Sequence, residues 1–190
     1  DDIFALQDQV AASVAGAIAP ELERAEIERA KRKPTESLGA YDYYLRAMAH
    51  VHRGSRQAVD QALPLFRQAI AADRDFAAAH GMAAWCHLWR KVNGWLRDPA
   101  AELAEGLDLA RRAVELGRDD AVALTRGAHA LGHFTGDLAI AVAALDRSLL
   151  LNPNLAATWF LGGYLRIWLG ESEAAQAHFA RAMRLSPLDP

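Results

Sequence analysis

The chain has 190 residues, 52% of them hydrophobic and 24% charged, with a formal net charge of −3. The two signs are interspersed, so no basic stripe faces a nucleic-acid backbone, and no apolar run reaches the ~18 residues of a membrane-spanning helix. Strand-favouring residues never alternate over a long run and a lone cysteine, Cys86, excludes an internal disulfide, which together predict an all-α fold built on packing alone.

Residues 1–36 read as an amphipathic helical linker or cap. Ile3, Leu6, Val10, Val14 and Ile18 recur at helical spacing, Pro20 interrupts them, and a charged stretch with Glu28 and Arg32 four apart runs to the break at Lys33-Pro34-Thr35. This stripe is expected to cover the first hairpin of the following domain, or to join the chain to a preceding domain or to a second copy of itself. The lack of an initiating methionine fits a preceding segment.

From residue 37 to 190 one pattern recurs, in which small residues on one helix face bulky residues on the next. The first copy, about 41–75, has Tyr44, Met48, Ala62, Phe66 and Ala69 in the packing places. The second, 76–118, has Ala79, Met82, Ala83, Gly106, Ala110 and Ala113, ends at Gly117-Arg118, and carries an insertion of about ten residues around Lys91 to Ala101. Within it Trp85 and Trp89 share a helix face and, with Trp95, are expected to close the enlarged loop as a local apolar cluster. Cys86 is expected to be a small core-facing group.

The third copy, 121–153, uses Leu124, Ala128, Leu131, Ala141 and Leu145, has Ser148 where alanine is usual, turns at Gly136-Asp137 and closes at Asn152-Pro153. The acidic pair Asp119-Asp120 before it is expected to cap a helix N-terminus. The fourth, 156–189, is the clearest: Trp159, Gly163, Gly170, Ala175, Phe179, Ala182 and Pro187 supply large, small, turn, small, aromatic, small and helix-ending residues. The stops at Arg118, Pro153 and Pro187 recur at 35 and then 34 residues. Such phase is hard to produce by composition alone.

This arrangement resembles the tetratricopeptide repeat, and implies an α-solenoid of about four helix–turn–helix units. In addition, Asp1 to Ala30 followed by A-Y-D-Y-Y-L-R-A at Ala40 to Ala47 resembles the junction of multidomain bacterial proteins. In these an effector, often a class III adenylate or guanylate cyclase and sometimes a winged-helix domain, precedes a TolB-like domain and tetratricopeptide repeats. The resemblance implies a non-catalytic, cytoplasmic protein-interaction scaffold that forms the C-terminal regulatory part of a bacterial signalling protein such as an adenylate cyclase. The other reading is a structural or oligomerising arm of a winged-helix regulator.

The resemblance also implies a concave groove lined by the first helix of each repeat. At the lining positions stand His80, His87, Thr125, His129, His133, Phe160, Tyr164, Ile167 and Trp168, an aromatic and histidine-rich set suited to the apolar side chains of a peptide or partner helix. The lysine and asparagine that hold chaperone tails in other members are missing there. At Phe160 to Trp168 the other expectation is a further repeat or domain stacked on the chain. His80, His87, His129 and His133 could bind zinc if they converged, but no glutamate or cysteine pair accompanies them, so no metal and no cofactor are expected. Groove histidines with an ordinary pKa near 6.5 would weaken binding in acid. No nucleophile elbow or glycine-rich phosphate loop is present, and no catalytic residue is expected.

Overall fold

The computed structural model describes residues 39–187; the stripe Ile3 to Ile18, and with it any self-association through that stripe, lies outside the described residues. Those residues form eight α-helices and no strand: α1 Ala40–Val51, α2 Arg56–Ala72, α3 Ala77–Val92, α4 Pro99–Leu116, α5 Ala121–Thr135, α6 Leu138–Leu151, α7 Ala156–Trp168 and α8 Ser172–Leu185. Each helix packs on the next, and the first helices of successive hairpins also touch, α3 on α5 and α5 on α7. The described residues form an all-α solenoid of four hairpins.

Two kinds of turn punctuate it. Within every hairpin the turn holds a glycine in the left-handed region, Gly54 (φ 62°), Gly94 (φ 68°), Gly136 (φ 77°) and Gly170 (φ 80°), a conformation that a Cβ disfavours. Between hairpins no such residue occurs. There Asp73 and Asn152 end α2 and α6 with extended backbone, and each side chain accepts from the amide two residues on, at 3.0 Å. Helix starts follow ordinary capping: Ser55, Asp98, Asp120 and Asp137 each accept from the first turn of the helix they precede. Asp120 therefore has the role expected of the Asp119-Asp120 pair.

Within a hairpin the contact is a bulky side chain in the space left by a small one. A Cβ at Gly163 would stand 2.7 Å from the Phe179 ring, and one at Gly106 would stand 2.9 Å from the Cβ of His87, while between hairpins it would also meet Phe134 of α5 at 2.8 Å. In the first hairpin the Tyr44 ring lies 5.8 Å from Phe66 and 5.1 Å from Phe76. Trp159 packs against His178 at 4.8 Å and donates its indole N–H to the Pro153 carbonyl at 2.8 Å, which ties the fourth hairpin to the preceding turn.

The second hairpin accommodates its extra residues by lengthening everything. α3 and α4 have 16 and 18 residues against 13 and 14 in α7 and α8, and the turn between them runs from 93 to 98. Trp85, Trp89 and Trp95 are partly buried against the main core, with Trp85 and Trp89 edge to face at 4.4 Å. Around this enlargement lies a charged belt. Arg90, nearly buried, reaches Glu102 at 2.8 Å and Asp60 at 3.5 Å, Arg97 reaches Asp60 at 2.6 Å, and Arg67 clamps both carboxylate oxygens of Glu105. Burial of Arg90 is tolerable only because two carboxylates on two other helices face it.

A hydroxyl knot joins the third and fourth hairpins. Thr125 of α5, Ser148 of α6 and Thr158 of α7 are all buried, with Thr125 Oγ1 at 2.8 Å from Ser148 Oγ and 2.7 Å from Thr158 Oγ1. Thr125 and Ser148 both donate to the Ala121 carbonyl, at 2.6 and 2.9 Å. The serine that broke the alanine pattern thus supplies one corner of a three-helix junction.

Replacing Thr125 by valine removes the shared corner and leaves the Thr158 hydroxyl with only its longer contact to Ser148 Oγ, at 3.2 Å. Equilibrium denaturation should show a loss of about 1–3 kcal/mol, and Ser148→Ala added to it should cost less than it does alone. Burial also pushes the Cys86 thiol up to about 12. In native buffer a thiol reagent should therefore modify Cys86 no faster than α3 opens, with labelling accelerating through the unfolding transition.

Candidate docking face

The structure divides the nine expected groove residues. His80, His87, Thr125 and His129 are buried, His133 is half-buried, and Phe160, Tyr164, Ile167 and Trp168 are exposed at 47%, 41%, 49% and 45%. The first four do not form a free lining, and each has its own reason. His80 turns back so that its Nε2 meets the Arg74 carbonyl at 3.0 Å. Thr125 is held in the hydroxyl knot. His87 is enclosed in the charged belt, its ring nitrogens 3.3 Å from Glu105 and 3.8 Å from Glu102. His129 lies under His133 and Trp168, with ring centroids 4.9 and 6.3 Å away.

The other four form one strip along α7, at spacings i, i+4, i+7 and i+8 that share a helix face. Phe160 and Tyr164 are edge to face at 5.1 Å, and both contact Phe179 of α8, at 6.0 and 5.4 Å. At the other end Trp168 meets His133 at 4.4 Å, so the strip continues onto α5. Phe179 is the member that sequence reasoning left out: its second-helix position marked it as a core filler, yet its ring is only partly buried and props the two exposed rings.

Electrostatically the strip is neutral. Burial first, and then the neighbouring His133 and Arg126, push the His129 pKa down to about 3; burial and Lys91 push that of His133 down to about 4. Lys91 donates to the His133 carbonyl at 2.7 Å, which fixes a positive charge beside these rings. Burial also lowers His87 despite its facing carboxylates, and Arg67 holds Glu105 below the usual carboxylate range. The expectation of groove histidines titrating near 6.5 is therefore corrected for His87, His129 and His133. Enclosure by neighbouring helices favours the uncharged imidazole.

Nor do the four histidines expected as alternative zinc ligands converge, since His80 and His87 point into separate surroundings. Among the described residues no three His, Cys, Asp or Glu side chains come together in a way that would hold a metal ion. A cavity of about 170 Å³ lies among Asp60, Leu63, Pro64, Arg67, Arg90 and Arg97, but its three arginines are already engaged by Asp60, Glu102 and Glu105.

No family model matches the chain. Over 140 residues, 74% of its length, it is 28% identical to the Rhizobium meliloti (strain 1021) protein named "Putative adenylate cyclase 3", of which the match covers 22%. The chain thus spans about a fifth of the length of that curated relative. Among solved structures it is similar to TTC0263, a thermophilic TPR protein of Thermus thermophilus, with a TM-score of 0.69 at 17% identity over 94% of this chain and 91% of that one. It is also similar to MamA from Desulfovibrio magneticus RS-1, residues 41 to the end, with a TM-score of 0.51 at 15% identity over 90% and 97%. At these identities the likeness establishes the fold: the described residues have the fold of a tetratricopeptide-repeat solenoid.

The depressed histidines make stability depend on pH in one direction. Between their folded values of about 3 and 4 and the ordinary value of 6.5, the unfolded chain binds more protons than the folded one. Their contribution is complete above pH 6.5 and is lost as pH falls towards 4, on the order of a few kcal/mol for His129. Denaturant midpoints measured from pH 7 to 4.5 should fall in the native chain. In His129→Leu they should fall less.

Proposed function

We propose that this tetratricopeptide-repeat solenoid is a non-catalytic docking module, and that the α7 strip receives an apolar-rich peptide or amphipathic helix from a protein partner. The observation that carries the reading is the row of Phe160, Tyr164, Ile167 and Trp168, four large apolar side chains left uncovered on one face of a helix whose other faces are packed. Aromatic side chains with two rotatable bonds give large contact area at low ordering cost. A bound chain gains from them by burial and ring contact rather than by ion pairing.

In its parent the module acts as the C-terminal regulatory part of a bacterial signalling protein that carries a nucleotide cyclase. The similarity to the Rhizobium meliloti protein supports this over a winged-helix regulator. A cytoplasmic location belongs to the same reading. No helix among the described residues is long and apolar enough to cross a membrane.

Peptide display against the immobilised chain should enrich sequences with apolar residues at helical or alternating spacing. Fluorescence anisotropy should then show affinity for those peptides falling at least about tenfold in Phe160→Ala/Trp168→Ala, in line with loss of aromatic anchors. Enriched peptides that bind the double variant equally well would remove the strip from the binding site. Failure to enrich any peptide would favour the strip as the seat of a further repeat.

A further inference from the structure

The positions that form the α7 strip recur in the first helices before it, and there they are covered. Phe160, Tyr164, Ile167 and Trp168 stand in the register of Thr125, His129, Gly132 and His133 on α5, of which the first three are buried and the last is half-buried. On α3 the same row is buried from His80 and Ala84 at its start to Leu88 at its end. In α1 it begins at buried Leu45 and runs out at His52 and Arg53, past the end of the helix. What lies on the α5 row is α7: Thr158 meets Thr125 at 2.7 Å, Trp168 meets His133 at 4.4 Å, and a Cβ at Gly132 would stand 3.7 Å from Leu165.

The second helices carry a matching position. Directly after the small residues Ala69, Ala113, Ser148 and Ala182 stand Ile70, Val114, Leu149 and Met183, apolar in all four. Ile70, Val114 and Leu149 are partly buried, whereas Met183 is 65% exposed. Val114 is covered by the next first helix, since a Cβ at Gly127 of α5 would stand 3.3 Å from its Cγ2. Met183 therefore belongs to the same open surface as the strip, at the place where a following first helix would cross α8.

We propose that the guest of the strip is an amphipathic α-helix of a protein partner that seats as α5 and α7 seat, across the exposed face of α7 and against Met183 of α8. This rests on the docking reading and narrows it, because an extended peptide would not reproduce that contact. The row such a helix presents is given by the two helices that already make it. Ala123, Gly127 and Ala130 of α5, and Thr158, Gly162 and Leu165 of α7, occupy places i, i+4 and i+7, and all six are buried. The middle place must be small, as a Cβ at Gly127 would stand 2.7 Å from that of Ala113. On the open end Ile167 replaces Gly132, so the receiving face is bulkier and the entering row correspondingly small, the same bulky-against-small rule that holds the stack. Among its described helices a second copy has no such row to offer: those of α3, α5 and α7 are engaged within their own stack, and α1 carries the bulky Tyr43 and His50 there.

The test uses the full chain and a fluorescein-labelled peptide of alanine, glutamate and lysine, about 15 residues long so that it can form a helix, with alanine, glycine and leucine at i, i+4 and i+7. Anisotropy should show saturable binding that is at least about tenfold weaker with Met183→Glu, whose own helix content by circular dichroism should match the native chain. The same peptide with proline at i+4 should not bind. Absence of saturable binding, indifference to Met183→Glu, or equal binding of the proline peptide would each overturn the proposal. A native chain that sediments as a dimer and is returned to monomer by Met183→Glu would give the seat to a second copy and overturn it as well. The docking reading is tested separately: displayed peptides that lose affinity for Phe160→Ala/Trp168→Ala, yet tolerate Met183→Glu and an internal proline, would keep the docking face and remove the helix.

Discussion

Two helices joined by three or four residues can lie side by side only where one backbone comes close to the other's bulky side chains. In this chain that constraint is met within the fourth hairpin by Gly163 against Phe179 and between the second and third by Gly106 against Phe134, where no Cβ could be added without displacing a ring. Everything larger follows from it. Close approach within a hairpin needs an abrupt reversal, which the left-handed glycines provide, and the closed hairpin then presents a fixed face for its successor. The Asx turns at Asp73 and Asn152 set the next hairpin down without a left-handed glycine, their side chains accepting from the amide two residues on.

The parts of this design that depend on nearest neighbours were legible in the sequence. Gly170 and Pro187, the small residues at Ala175 and Ala182, and the serine at Ser148 all occupy the roles their spacing implied, because hairpin packing is local and its period survives substitution. The groove lining was less legible. A position on the first helix of a repeat is open only if the following helices leave it uncovered, and that depends on side chains far along the chain, from Glu102 beside His87 to Trp168 beside His129. His87 shows the difficulty: its spacing fits the lining, but Glu102 and Glu105 arrive from a helix lengthened by the insertion and enclose it. Nothing in a 34-residue template anticipates them.

Polar groups in this solenoid do a different task from the apolar ones. The Arg90 belt and the Thr125–Ser148–Thr158 knot both sit where three helices meet: the belt sets two carboxylates against a buried guanidinium whose Nε has no hydrogen-bond partner, and the knot links three buried hydroxyls. The alanine-rich contacts around them are nearly interchangeable, since small apolar surfaces slide past one another at little cost. Specific polar junctions fix which turn of one helix meets which turn of the next. The repeat stack thereby has a definite register despite its monotonous core.

That core is also unevenly distributed. The larger buried cluster runs from Tyr44 to Ala130, a second consists of Ala128, Ala141, Leu145 and Leu165, and the buried Ala175 and Ala182 of α8 belong to neither. In a linear stack, where each unit is held only by its neighbour, the thinnest junction sets the cost of peeling the end. Among the described hairpins the fourth, which bears the aromatic strip, shares least in these clusters, with Leu165 alone. On the docking reading proposed above, a guest seated on the strip would act as a clasp as well as a ligand, with part of its binding energy going into ordering this weakly held hairpin rather than into a change of shape.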